Sequence, residues 1–117
     1  MDKSLHIVSS SELGQVGVST EVIQQIVGHV AEEAYGVVEM AGRRLRLRPR
    51  DPLTSGIEVR RNEKGLAIVL HVVVERGLNL AEIASTLRSR VTYEVERQTG
   101  LQVGSVDVRI DDVRRST

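Results

Sequence analysis

Apolar positions along this chain fall into two rhythms, one of period two and one of period three to four. The densest run is Leu66-Ala67-Ile68-Val69-Leu70-His71-Val72-Val73-Val74-Glu75, and it is rich in β-branched side chains. The run is too short to span a bilayer and has the length of a strand. At the strand period, Leu66, Ile68, Leu70, Val72 and Val74 share one face. The opposite face carries Ala67, Val69 and Val73, broken by His71 and Glu75. A strand apolar on both sides reads as a central strand. Arg76-Gly77-Leu78-Asn79 then turns the chain into a helix. Asn79 can accept from the free amides of the first turn, and Glu82 can reach back. Leu80, Ile83, Ala84, Leu87, Val91 and Val95 follow at helical spacing. Thr99-Gly100 ends this helix, because glycine tolerates the left-handed conformation just past a C-terminus.

The same two rhythms organise the rest. Residues 1–13 are polar and serine-rich apart from Leu5, Ile7 and Val8, which predicts a flexible tail without a signal peptide. Gly14-Gln15-Val16-Gly17-Val18 reads as a short strand. Ser19 or Thr20 caps a helix whose apolar stripe is Val22, Ile23, Ile26, Val27, Val30 and Ala34, closed by Tyr35-Gly36. Val37-Val38-Glu39-Met40 leads into an arginine run. Ile57-Glu58-Val59-Arg60 is a strand, and Arg61-Asn62-Glu63-Lys64-Gly65 turns it into the central one. Val103, Val106, Val108 and Ile110 mark a last strand, with Ser105, Asp107 and Arg109 on its other side. The order strand, helix, strand, strand, helix, strand predicts an α+β two-layer sandwich. Its mixed or antiparallel sheet carries both helices on one face. A ferredoxin-like strand order is the default for that connectivity. One domain is expected over 14–113, with a short tail at 114–117.

Composition sharpens the core more than the chemistry. Phe and Trp are absent and only Tyr35 and Tyr93 carry rings, so the core must be aliphatic. Formal net charge is zero, so no global field draws the chain to nucleic acid or an anionic membrane. With no cysteine, disulfides and thiolate metal sites are excluded, which fits the cytosol.

The sharpest local charge is the basic run Arg43, Arg44, Arg46, Arg48 and Arg50. Alternation with Leu45 and Leu47 suggests a ribbon with one wet side, and Pro49 and Pro52 keep it out of a central strand. One reading is a solvated connecting loop. The other is an anion-facing patch for phosphate, lipid headgroups or an acidic partner, since loops of this length are uncommon unless functional or disordered. Gly14 and Gly17 spell the GxxG of KH-type RNA-binding loops, but those loops join two helices, whereas this pair precedes one. His6, His29 and His71 lie on separate elements without metal-ligand spacing. Asp111 and Asp112, as strand neighbours, are expected on opposite faces, a poor pair for acid–base work. Ser9, Ser10 and Ser11 lack a nucleophile-elbow context. No catalytic, cofactor or metal residue and no small-molecule substrate is therefore assigned. Val69, His71 and Val73 form a small central patch on the face away from the helices, rimmed by Glu58, Arg60, Asp107 and Arg109. That is the anatomy of a self-association surface, and a homo-oligomer is expected through it.

The segment Gly14-Gln15-Val16-Gly17-Val18-Ser19-Thr20-Glu21-Val22-Ile23, followed by Ala34-Tyr35-Gly36-Val37-Val38-Glu39-Met40, resembles the opening of the alkaline shock protein family. Val73-Val74-Glu75-Arg76-Gly77-Leu78-Asn79-Leu80 resembles the start of that family's second half. Val95-Glu96-Arg97-Gln98-Thr99-Gly100-Leu101-Gln102-Val103 and Val106-Asp107-Val108-Arg109-Ile110 continue it. The resemblance implies a non-enzymatic bacterial protein of the envelope stress response. It also implies a self-associating protein in the cytoplasm, peripheral at the inner face of the membrane where a small integral partner anchors it. The alternative function is a small RNA- or phosphate-binding module using the run from Arg43 to Arg50. Its weakness is the lack of the aromatic rings on which single-stranded bases stack, which argues against nucleic acid as a partner.

Overall fold

The computed structural model describes residues 6–11, 14–40 and 56–115. In chain order the elements are β1 (His6–Ser11), β2 (Gly14–Ser19), α1 (Thr20–Glu33), β3 (Val37–Met40) and β4 (Ile57–Asn62). They continue with β5 (Gly65–Glu75), α2 (Leu80–Thr99) and β6 (Val103–Arg114). The class is α+β, and both helices pack on one face of the main sheet.

The sheet is organised around β5, whose two edges are used differently. Its even-numbered amides point to β6, as Leu66 N–H donating to the Gln102 carbonyl shows. Its odd-numbered amides point the other way, to Gly56 from His71 and to Gly36 from Glu75. A strand has only two edges, so β4 and β3 share the second one end to end. β4 runs antiparallel along Gly65 to Leu70, and β3 runs antiparallel beside Val72 to Val74. β6 runs parallel along nearly all of the first edge. This parallel pair is joined by α2, the crossover such a pair requires.

That arrangement differs from the ferredoxin-like expectation. The segment from Gly14 does not enter the main sheet, but pairs with β1 in a separate two-stranded hairpin. The expected tail at 1–13 therefore contains a strand. Apolar alternation at Val16 and Val18 specifies a strand but not its partner, and β1 supplies one nearby in sequence. The place beside β5 that a ferredoxin-like order reserves for the first strand is filled by β6 itself.

The core is aliphatic throughout. Leu66, Ile68, Leu70, Val72 and Val74 of β5 are fully buried beneath Ile23 and Val27 of α1 and Leu87, Val91 and Val95 of α2. Ser19 caps α1 by accepting from Val22 N–H at 3.2 Å, and Asn79 caps α2 by accepting from Glu82 N–H at 3.1 Å. Gly100 takes the left-handed position at the end of α2 with φ 75°. On α1 the stripe turns slightly from the expected one: Val22 is 46% exposed and Ala31 is fully buried instead. An ion pair of 3.6 Å from Arg90 to Glu33 ties the two helices on their outer side.

Candidate interaction surface

The sheet face away from the helices presents the odd residues of β5 with the outward residues of β4 and β6. Ladder pairing puts Val69 between Glu58 and Asp107, and aligns His71 with Arg109. His71 Nδ1 lies 3.1 Å from both carboxylate oxygens of Asp111, and Nε2 lies 3.9 Å from Glu58 Oε2. A carboxylate can only accept, so the ring carries a proton on Nδ1 in this contact. On the β6 side, Arg109 donates twice to Asp107 Oδ2, from Nη2 at 2.7 Å and Nε at 2.9 Å. The guanidinium holds the Asp107 carboxyl below its ordinary value, and the carboxylate raises Arg109 in return.

Val69, His71 and Val73 are thus together on this face, but they are not equally available. Val73 is only 2% exposed, whereas Val69 and His71 are half-buried. Val73 pairs in register with Glu39 of β3 and Asp112 of β6, and at this exposure it has no surface to offer. The expected apolar patch therefore shrinks to Val69 and the imidazole of His71, inside a charged surround. Asp111 and Asp112 also depart from expectation. A register shift after Ile110 breaks the alternation, so Asp111 reaches His71 while Asp112 aligns with Val73 on the same face. Arg43, Arg44, Arg46, Arg48 and Arg50 lie outside the described residues.

Sequence reasoning overlooked a second concave surface. A groove of about 550 Å³ runs between the helices, lined by Val22, Ile26, His29, Arg90, Glu94 and Gln98 among others. Part of its polar side is internally paired: Gln98 donates to Glu94 Oε1, Arg97 beside the groove donates to the same oxygen, and the Arg97 contact holds the Glu94 carboxyl below its ordinary value. Val22, read from the sequence as part of the apolar stripe, is exposed on the wet edge of that stripe and lines this groove. Gly14 and Gly17 lie inside β2, paired with Ser11 and Val8, so the KH loop context is not met. Among the described residues, no group of three or more His, Asp or Glu side chains is placed to hold a metal ion. None of the described helices is long and apolar enough to cross a membrane.

These features define a small α+β module whose accessible chemistry is a charged sheet face and its edges. The chain belongs to the alkaline shock protein 23 family, described as having a cell envelope-related function, and the family model matches residues 8–115. Among its relatives is YloU of Bacillus subtilis (strain 168), 28% identical over 110 residues, covering 89% of this chain and 92% of that protein. Spy1614 of Streptococcus pyogenes serotype M6 is 26% identical over 107 residues, covering 86% and 88%. A stress response regulator gls24 homolog of Streptococcus pyogenes serotype M3 is 28% identical over 112 residues, covering 92% of this chain and 63% of the regulator. No solved structure matches the chain.

Proposed function

We infer that this chain is a non-enzymatic structural and interaction protein of the cell-envelope stress response. It self-associates and is held at the inner face of the membrane, from the cytoplasmic side, by an integral partner. The observation that carries this reading is the family match across nearly the whole chain, to a family of cell envelope-related function. The stress assignment draws on the gls24 homologs, which are named as stress response regulators. The charged sheet face agrees with a role in contacts, since its ionisable groups neutralise one another and are not aimed at a common reacting point.

The basic run supplies a means of attachment. Near a bilayer each arginine contributes about 1 kcal/mol of attraction to anionic lipid, and assembly multiplies weak attachments by avidity. Arginine also suits an acidic partner, because its planar fork pairs with carboxylates at two points. The test is the triple variant Arg44→Gln, Arg46→Gln and Arg48→Gln. Folding by circular dichroism stays unchanged, and sedimentation with native membranes falls. Retained membrane association together with lost RNA binding would replace this reading by the RNA-binding one. A wild-type chain that never sediments with membranes and stays monomeric would contradict it outright.

A further inference from the structure

Most of β6 is an edge strand, and its outer edge is unusually complete. Ladder parity fixes which groups point outward. Ile68, Leu70 and Val72 align with Val106, Val108 and Ile110 and bond to the residues on either side of each. The backbone N–H and C=O of Val106, Val108 and Ile110 therefore point away from β5. Among the described residues no strand pairs with them. The outward N–H groups further along are already taken. Val103 N–H donates to Glu96 Oε2 at 2.9 Å, and Val113 N–H donates to Asp112 Oδ1 at 2.8 Å. These two capped amides stand equally far from Val108 on either side. The ladder irregularities, one near Val103 and one after Ile110, also bound the regular stretch 105–111, which is centred on Val108.

Edges are normally protected by charged side chains (lysine above all), proline, inward-pointing charges or bulges. The stretch 105–111 has no lysine, proline or inward charge; its charges, Asp107, Arg109 and Asp111, are of both signs and lie on the open face, and its inward residues are Val106, Val108 and Ile110. The edge of β4 differs, because the Ile57 carbonyl there accepts from Gln24 Nε2 at 2.9 Å.

We propose that the outer edge of β6 pairs antiparallel with the β6 of a second copy of this chain, about a twofold axis at Val108. This rests on the self-association reading above and says where that contact lies. Parity requires outward-bonding residues to meet outward-bonding residues, so the axis must pass through a residue and not between two. An axis at Asp107 sets that carboxylate against itself. An axis at Arg109 opposes two guanidiniums and sets Asp107 against Asp111. The axis at Val108 opposes Val106 with Ile110 and Val108 with itself on the helix side. On the open side it places Asp107 of each copy opposite Arg109 of the other. The existing Asp107–Arg109 pair, 2.7 Å within one chain, then becomes a ring of four alternating charges. Three-strand width becomes a continuous sheet through two molecules.

The test uses charge reversal at two exposed positions. Side chains of Asp107 and Arg109 are 49% and 57% exposed, so reversal leaves the core untouched. Sedimentation equilibrium of the full chain measures the dimer dissociation constant. Asp107→Arg alone and Arg109→Asp alone each put like charges opposite one another, and each weakens the dimer by about tenfold or more, the scale of two cross-strand pairs turned repulsive. An equimolar mixture of the two single variants restores tight pairing, because their altered edges are complementary. The double variant restores it as a homodimer. Single variants that weaken the dimer with no rescue in the mixture would overturn this register. A wild-type oligomer indifferent to both variants but dissociated by Val69→Asp would move the contact to the sheet face and leave self-association standing. A wild-type chain monomeric at every concentration would remove the edge pairing and the self-association reading together.

Discussion

β5 and β6 lie side by side, parallel and in register over most of their length, yet they make opposite use of their surroundings. β5 has partners on both edges, helices over one face and a crowded second face. Its even residues are fully buried and even Val73 on the far face is closed off. Among the described residues, β6 has a strand partner on one edge only. It alternates apolar and charged residues, with Val106 buried and Asp107 and Arg109 exposed. The number of sides on which a strand is covered is thus written in its composition: a nearly continuous apolar run for β5, alternation from Ser105 to Asp111 for β6. What alternation does not state is whether the second edge of such a strand is left to water or to another molecule. Backbone capping adds what alternation omits: Glu96 and Asp112 accept from the amides of Val103 and Val113 at the ends of the β6 edge, and among the described residues no strand pairs with the middle.

The contrast can be broken first on its buried side. Leu87 of α2 is fully buried against the inner face of β5. Leu87→Ala should cost about 2–5 kcal/mol in urea unfolding, the range for a cavity in a packed core. A loss of about 0.5 kcal/mol, typical of surface sites, would take Leu87 out of the core. The next effect is at the start of β5. Gly65 has φ 118°, and an added Cβ would stand 2.4 Å from the Gln102 carbonyl oxygen. Gly65→Ala therefore forces apart the first contact between β5 and the approach to β6, at about 1–3 kcal/mol by the same unfolding assay. A neutral result would mean that the two strands do not close together there. Smaller again is the cap of the helix that joins them: Asn79→Ala should lower stability by about 1 kcal/mol, and Asn79→Asp should preserve it.

The smallest effect belongs to the open side. Because Arg109 holds the Asp107 carboxyl below its ordinary value, that contact stabilises the folded chain above the ordinary carboxylate range. The contribution is lost as pH falls through the lowered value. Arg109→Gln should move the Asp107 midpoint in an NMR titration back up towards its ordinary value. An unmoved midpoint would show that the pair is not formed in solution.

Much of the fold was legible because periodicity and end signals agreed. Asn79, the Ile83-Leu87-Val91-Val95 stripe and Gly100 define α2 with no need of its neighbours. The hairpin between β4 and β5 was equally plain, with Gly65 at a positive φ where the turn requires it. Three features were hidden for physical reasons. β1 is half serine, and its strand state comes from pairing with β2, not from its own propensity. β3 has four residues and a bulge, too short for either rhythm to register. The end of β6, which runs on to Arg114, was hidden because the shift at Asp111 and Asp112 interrupts the alternation that would have revealed it. For the contact surface, sequence alone placed Val69, His71 and Val73 on one face. The burial of Val73 depends on which strands flank it, and strand order is a long-range property that local pattern does not encode.

Amide hydrogen exchange, followed residue by residue at high and low protein concentration, addresses the difference between the two strands most directly. The account predicts slow exchange for the β5 amides at both concentrations, since both of their edges are filled within one chain. It predicts that the outward amides of Val106, Val108 and Ile110 are protected in the concentrated sample and exchange freely on dilution. Free exchange at those three positions in both samples would contradict it, because the edge of β6 would then face water and nothing else.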